Sequence, residues 1–170
     1  MLWQSFLILL MQGCPCGYYT DPKKACRCNP NKIQNYMGKI SGPLFDRIDI
    51  HLEIPALKYR ELTETKDSEP SSQIRARVEK TQALQRERFN SEGIFYNARM
   101  NARMLRKYCL LNQEAQELLK LAMQELGFSA RAYDKILKIS RTVADMAGSE
   151  EILGEHISEA IQYRSLDRQW

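Results

Sequence analysis

The chain lacks a phosphate-binding loop. No G-x-x-x-x-G-K-S/T run occurs in its 170 residues. The nearest approach, Gly38-Lys39-Ile40, has Ile33 where the first glycine belongs and no hydroxyl after the lysine. An acidic run at the end of a strand, the usual magnesium holder, is missing as well. These absences exclude a chain that binds and hydrolyses ATP unaided. Only two histidines are present, and His156 has no evident cysteine or carboxylate partner, which points to packing rather than catalysis. No lysine or arginine precedes Lys23, so the apolar stretch Met1 to Met11 lacks the basic leader of a signal peptide, and it is too short to span a bilayer. The five cysteines are unevenly spaced and do not form the framework of a small secreted domain.

What is present fits a soluble globular chain, 44% hydrophobic and 27% charged, with a mild net charge of +4 that neither requires nor opposes nucleic acid. Met1 to Met11 reads as a buried strand of the continuous apolar kind found in parallel sheets. The clearest strand pattern is Ile48, Ile50, Leu52 and Ile54 alternating with Asp49, His51 and Glu53, closed by Pro55. Gly42-Pro43 makes a turn ahead of it. Arg47 stands where a short Leu44-Phe45 segment meets that strand. It is either aimed at a neighbour's phosphates or paired at the surface with Asp46 or Asp49.

Cys14-x-Cys16 and Cys26-x-Cys28 flank a loop rich in turn residues. Four thiolates so placed can close a tetrahedral zinc site that pins a loop with little apolar surface to bury. Reduced thiols or disulfides are the alternative. With four cysteine ligands the role would be structural. Cys109 stands apart in a helical pattern and reads as a buried thiol.

Pro30 can open a helix containing Ile33, Tyr36 and Met37. Residues 56–71 lose apolar periodicity and read as a linker. From Ser72 the pattern is helical. The first helix is weakly amphipathic, with Ile74, Val78, Thr81, Leu84 and Phe89 on its less polar side and Arg75, Arg77, Lys80, Arg86, Glu87 and Arg88 solvated. Asn97-Ala98-Arg99-Met100 is nearly repeated by Asn101-Ala102-Arg103-Met104, which on one helix would put Arg99 and Arg103 on a shared basic face. Asn112 caps a strong helix that Gly127 ends, and Ser129 caps another that Gly148 ends. Arg131 falls in the first turn of the latter, where a cation opposes the helix dipole. It makes better sense there as a phosphate ligand. Glu150 to Arg164 forms a last helical segment.

Four stretches carry a family resemblance: Ser41-Gly42-Pro43-Leu44-Phe45-Asp46-Arg47-Ile48-Asp49-Ile50-His51, the two cysteine pairs, Ser129-Ala130-Arg131-Ala132-Tyr133-Asp134, and Glu159-Ala160-Ile161-Gln162-Tyr163-Arg164. Together they resemble the magnesium-chelatase-like AAA+ ATPases of the ComM/YifB type, from about Met11 to the C-terminus. The resemblance implies a mainly α (α+β) chain. Residues 1–55 would be the end of a P-loop AAA+ α/β core, 56–71 a linker and 72–170 a helical lid, with the nucleotide-cradling half absent. It implies that Arg47 is an arginine finger acting on a neighbouring subunit's nucleotide. Arg131 would be the second sensor, reaching the nucleotide of its own subunit. Gln12 would replace the asparagine of the first sensor. ATP and magnesium would be the cofactors of a cytoplasmic homo-oligomeric ring that remodels DNA by branch migration. A non-catalytic, zinc-pinned helical adaptor is the alternative.

Overall fold

The computed structural model describes residues 8–19, 21, 23–54 and 68–164. The described residues are mostly helical. They fall into two compact units, one of residues 1–45 and 54–63, the other of residues 46–53 and 64–170.

In the first unit, helix α1 (Pro30–Met37) begins as the sequence predicts. Pro30 opens the first turn, and the Asn29 side chain accepts from the Lys32 amide at 2.8 Å. A single helical turn, α2 (Gly42–Phe45), follows. The expected N-terminal strand is not borne out where it can be seen. Ile8, Leu9, Leu10 and Met11 are exposed and outside any strand, while Met1 to Leu7 lie outside the described residues. No strand among the described residues flanks this run to pair its amides or cover its side chains.

The second unit holds the core. It comprises α3 (Ser71–Arg88), a 3-10 turn (Asn97–Arg99), α4 (Ala102–Tyr108), α5 (Gln113–Leu126), α6 (Ala130–Ala147) and α7 (Gly154–Gln162). Local chemistry sets the boundaries. Asn112 accepts from the Ala115 amide at 2.9 Å and Ser129 from the Ala132 amide at 3.1 Å. Gly127 and Gly148 terminate α5 and α6 in the left-handed region, at φ +64° and +73°, where a side chain would be strained. Helix α6 is central and packs on α3, the 3-10 turn, α4 and α7. Ile136, Leu137 and Ala144 of α6 meet Leu119 of α5, Ile157 and Ala160 of α7, and Phe89, all buried. Leu111 and Ile152 form an isolated parallel bridge that ties the loops before α5 and before α7 together.

Three local expectations are corrected. Only the C-terminal part of α3 is packed. Thr81, Gln85 and Phe89 are buried, whereas Ile74, Val78 and Leu84 are exposed. Arg88 is drawn inward rather than solvated. Arg99 sits in the 3-10 turn and Arg103 in α4, with Asn101 capping α4 between them, so the two do not share a helix face.

Arg88 belongs to a polar cluster around Asp145, whose side chain is 0% exposed. Arg88 embraces the Asp145 carboxylate with both terminal nitrogens, and Arg141 Nε donates to it at 3.0 Å. Asn97 Nδ2 adds a fourth donor at 2.8 Å. Arg141, pulled down in pKa by burial and held up by Asp145, spends its other nitrogens on the carbonyls of Ser149 and Glu150 at 2.5 and 2.6 Å. One carboxylate therefore joins α3, the 3-10 turn, α6 and the loop after α6. Removing it leaves the buried Arg141 and the partly buried Arg88 without their counter-charge. Asp145→Ala should cost about 3–5 kcal/mol of unfolding free energy. Arg77→Ala, which breaks the exposed pair with Glu69, should cost under about 1 kcal/mol. Denaturant titration of the two variants checks the contrast; equal, small losses would contradict it.

Candidate functional site

The segment Asp46–Glu53 belongs to the helical unit, and the expected strand there is not formed. Ile50 and Leu52 are exposed while His51 is buried, the reverse of the predicted faces. Ile54, the last member of the expected row, is 82% exposed. The physical reason is the partner. The segment lies against helix ends, not beside a strand. The His51 amide donates to the Tyr163 carbonyl at 2.7 Å, and the fully buried Arg164 donates through Nη1 to the Ile48 carbonyl at 2.6 Å.

Three side-chain contacts fasten the same segment to the start of α6. Asp46 receives Arg131 Nη1 at 3.3 Å and Ser129 Oγ at 3.4 Å. Asp49 receives Lys135 Nζ at 2.8 Å. Arg131 and Arg47 thus belong to one unit, and Arg131 contacts the residue that immediately precedes Arg47. Both arginines are exposed, Arg131 with 78% of its side chain accessible. Neither Asp46 nor Asp49 needs Arg47 as its partner; they take Arg131 and Lys135. Asp46, Lys135 and the anchoring Arg164 could not be picked out from spacing, because the pairs they make are separated by 85, 86 and 116 positions.

Gln12 and the four paired cysteines belong to the other unit. Gln12 is exposed and lies over the turn at Gly17, where its Oε1 would be only 2.7 Å from a Cβ on that glycine. Gly17 has φ +79°, so the backbone of the turn favours glycine, while the Gln12 end could swing away from a side chain there. That turn returns the chain so that Cys14 Sγ lies 3.2 Å from Cys16 and 3.6 Å from Cys26, with Cys16 and Cys26 also 3.6 Å apart. Cys28 completes the set, all four sulfurs lying within 4.8 Å of one another. A group of four such donors can hold a metal ion. The Tyr18 backbone amide, then the Cys14 thiol and the Arg27 amide, draw the Cys16 thiol down to about 6. At Cys26 the Cys28 amide acts downward, but burial and the adjacent Cys16 and Cys14 sulfurs outweigh it and push the thiol up to about 12. Cys109 is separate. Burial raises its thiol to about 12 and its Sγ lies 3.7 Å from the Leu137 carbonyl, as expected of a packed, inert thiol.

His156 behaves as packing residues do: it is buried, and its Nδ1 accepts from the Leu153 amide at 3.0 Å at the start of α7. No helix among the described residues is long and apolar enough to cross a membrane.

Residues 68–164 match the family described as magnesium chelatase, subunit ChlI C-terminal, and residues 3–62 match magnesium chelatase, subunit ChlI. Among curated proteins, the chain is 37% identical over 163 residues to "Competence protein ComM" of Haemophilus influenzae, covering 95% of this chain and 31% of that protein. It is 35% identical over 162 residues to "Uncharacterized protein YifB" of Salmonella typhimurium and 34% identical over 163 residues to that of Escherichia coli, with the same coverage in both cases. The chain therefore spans about a third of the length of these relatives. Two family matches in sequence order, joined to the mostly helical unit they predict, show that the chain belongs to the magnesium chelatase ChlI family and is a ComM/YifB-like member of it.

Proposed function

We propose that the chain supplies the two arginines that act on bound nucleotide in a ring of magnesium-chelatase-like subunits, and that this cytoplasmic ring remodels DNA. The observation that carries the reading is the fastening of Asp46–Glu53 to the start of α6, which mounts Arg47 and Arg131 on one unit. The family reading implies ATP with magnesium, and the residues here fit only part of that group. No phosphate loop or acidic magnesium ligand lies among the 170 residues. Two exposed guanidiniums suit terminal phosphate oxygens.

When bound, the nucleotide supplies a phosphoryl group whose charge spreads during transfer. Arg47 stabilises that charge from a neighbouring subunit. Arg131 is parked on Asp46 at 3.3 Å in an exposed pair. Such a pair is worth about 0–1 kcal/mol, so exchanging Asp46 for a phosphate costs little. The α6 N-terminus, whose dipole disfavours Arg131 alone, favours a phosphate beside it.

This geometry favours a revision of the role the resemblance implies for Arg131. In a closed ring of head-to-tail subunits, a subunit's own nucleotide and its finger meet different neighbours. Two arginines fastened through one short segment serve one site more readily than two. We assign both to the neighbour's phosphate, with Gln12 a first-sensor candidate in the other unit.

The four thiols are assigned to a structural zinc ion. A Zn–S bond of about 2.3 Å requires tetrahedral S···S edges of about 3.8 Å, close to the separations of 3.2 to 3.6 Å found among Cys14, Cys16 and Cys26. When bound, zinc cross-links the two ends of the loop and takes no part in phosphoryl transfer.

Two measurements test these assignments. In a chimera where this chain replaces the corresponding part of the Haemophilus influenzae relative, Arg47→Ala should lower ATP turnover by about 10³-fold and leave nucleotide affinity within a few fold. Turnover within tenfold of the parent would remove the finger. For the metal, the chain purified with zinc and no chelator should carry about one equivalent, and Cys16→Ser should lose most of it. Metal near zero, with all four thiols freely titrating, would remove the site.

A further inference from the structure

We infer that the cysteine loop and the helix that follows it in sequence form a contact surface for single-stranded DNA. The net charge of +4 is not spread over the chain. Residues 1–45 contain Lys23, Lys24, Arg27, Lys32 and Lys39 against a single acid, Asp21, which leaves 20 cations and 20 anions in the remainder. The entire excess positive charge therefore lies in residues 1–45, the stretch that carries the four thiols. The Asp21 Oδ1 accepts from the backbone amides of Lys23 at 2.7 Å and Lys24 at 3.1 Å. That turn leaves both lysine side chains exposed at the tip of the loop, with Arg27 also exposed.

Aromatic rings stand among these cations. Tyr18 and Tyr19 are 37% and 44% exposed. Lys24 Nζ lies 4.8 Å from the centre of the Tyr18 ring, and together with Cys16, Ala25 and Arg27 they line an open recess. Cations that follow a phosphate backbone, interleaved with rings on which bases stack, are the pattern of sequence-tolerant single-strand binding. A duplex offers phosphates but no free base faces, and an anionic membrane offers no bases. The tyrosines are what decide for single-stranded nucleic acid. A metal held by the four thiols, as proposed above, would fix the loop that carries them. The inference deepens the DNA reading above by naming where the strand is met.

The test is fluorescence anisotropy of a labelled (dT)20 strand titrated with the full chain, without nucleotide, at several salt concentrations. Its failure would therefore leave the arginine assignments untouched, and theirs would leave it untouched. Binding should weaken with salt at a log–log slope of about −2 to −3, as for three or four phosphate contacts on a single strand. Lys23→Glu with Lys24→Glu should weaken it at least about tenfold, and Tyr18→Ala with Tyr19→Ala by a similar factor. Arg99→Glu with Arg103→Glu, on the helical unit, should change it less than about twofold. Metal content of each loop variant reports whether the loop is intact. Should the tyrosine pair lose its metal, the lysine pair carries the test. No binding at low salt, equal binding by the lysine variant, or loss confined to the Arg99 and Arg103 variant would overturn the inference. Stronger binding to anionic vesicles than to (dT)20 would overturn it as well.

Discussion

The helical unit depends on one buried carboxylate. Asp145 is sealed from water and met by Arg88, Arg141 and Asn97. A buried charge is tolerable only when its partners are fixed, so the cluster dictates where three elements must be. The C-terminal end of α3 is drawn in by Arg88, the 3-10 turn by Asn97, and the loop after α6 by the two carbonyls that Arg141 collects. Helix α6 is thereby held along its C-terminal half, which sets where its N-terminus presents Ser129 and Arg131. At the far side, α7 is followed by Arg164, whose guanidinium reaches the Ile48 carbonyl. The exposed arginines stand on a base built from buried ones.

The contacts grade from strong to exchangeable along that path. Asp145 and Arg141 are almost wholly excluded from solvent, Lys135 is mostly covered, and Arg131 is open. Phosphate recognition needs this order. A guanidinium locked in a buried pair could not be given up to a ligand, and one on a loose segment would not be aimed. The Asp46–Arg131 pair is weak enough to exchange, while the hydrogen bonds at His51 and Arg164 keep the backbone of the segment in place. Among the described residues of the other unit, the buried hydrophobic side chain is Cys14, one of the four clustered thiols.

What was legible in the sequence was local. Asn112, Gly127, Ser129 and Gly148 fix helix ends through hydrogen bonds and dihedral preferences spanning a few residues, and they were readable for that reason. So was the gathering of Cys14, Cys16, Cys26 and Cys28, because paired thiols on a short turn have few other places to go. The alternating row from Ile48 to Ile54 misled, since alternation states only that one face suits burial, and a strand also needs a neighbour to pair with. Arg88 read as solvated because nothing near it in sequence reveals Asp145, 57 positions away. The Asp46–Arg131 contact was hidden in the same way. Only the folded chain puts the segment of Arg47 beside the helix of Arg131.

Subunit mixing tests whether the two arginines act together on the neighbour's nucleotide. Rings would be assembled from equal parts of two chimeric chains, one carrying Arg47→Ala and the other Arg131→Ala, with subunit exchange demonstrated by fluorescence. If both arginines of one chain serve the neighbour's site, every interface lacks one of them, and the mixed rings stay as inactive as either parent. Recovery of ATP turnover toward a quarter of the level of the unsubstituted chimera would mean that the two arginines reach one site from different subunits, and would contradict the assignment of both to the neighbour.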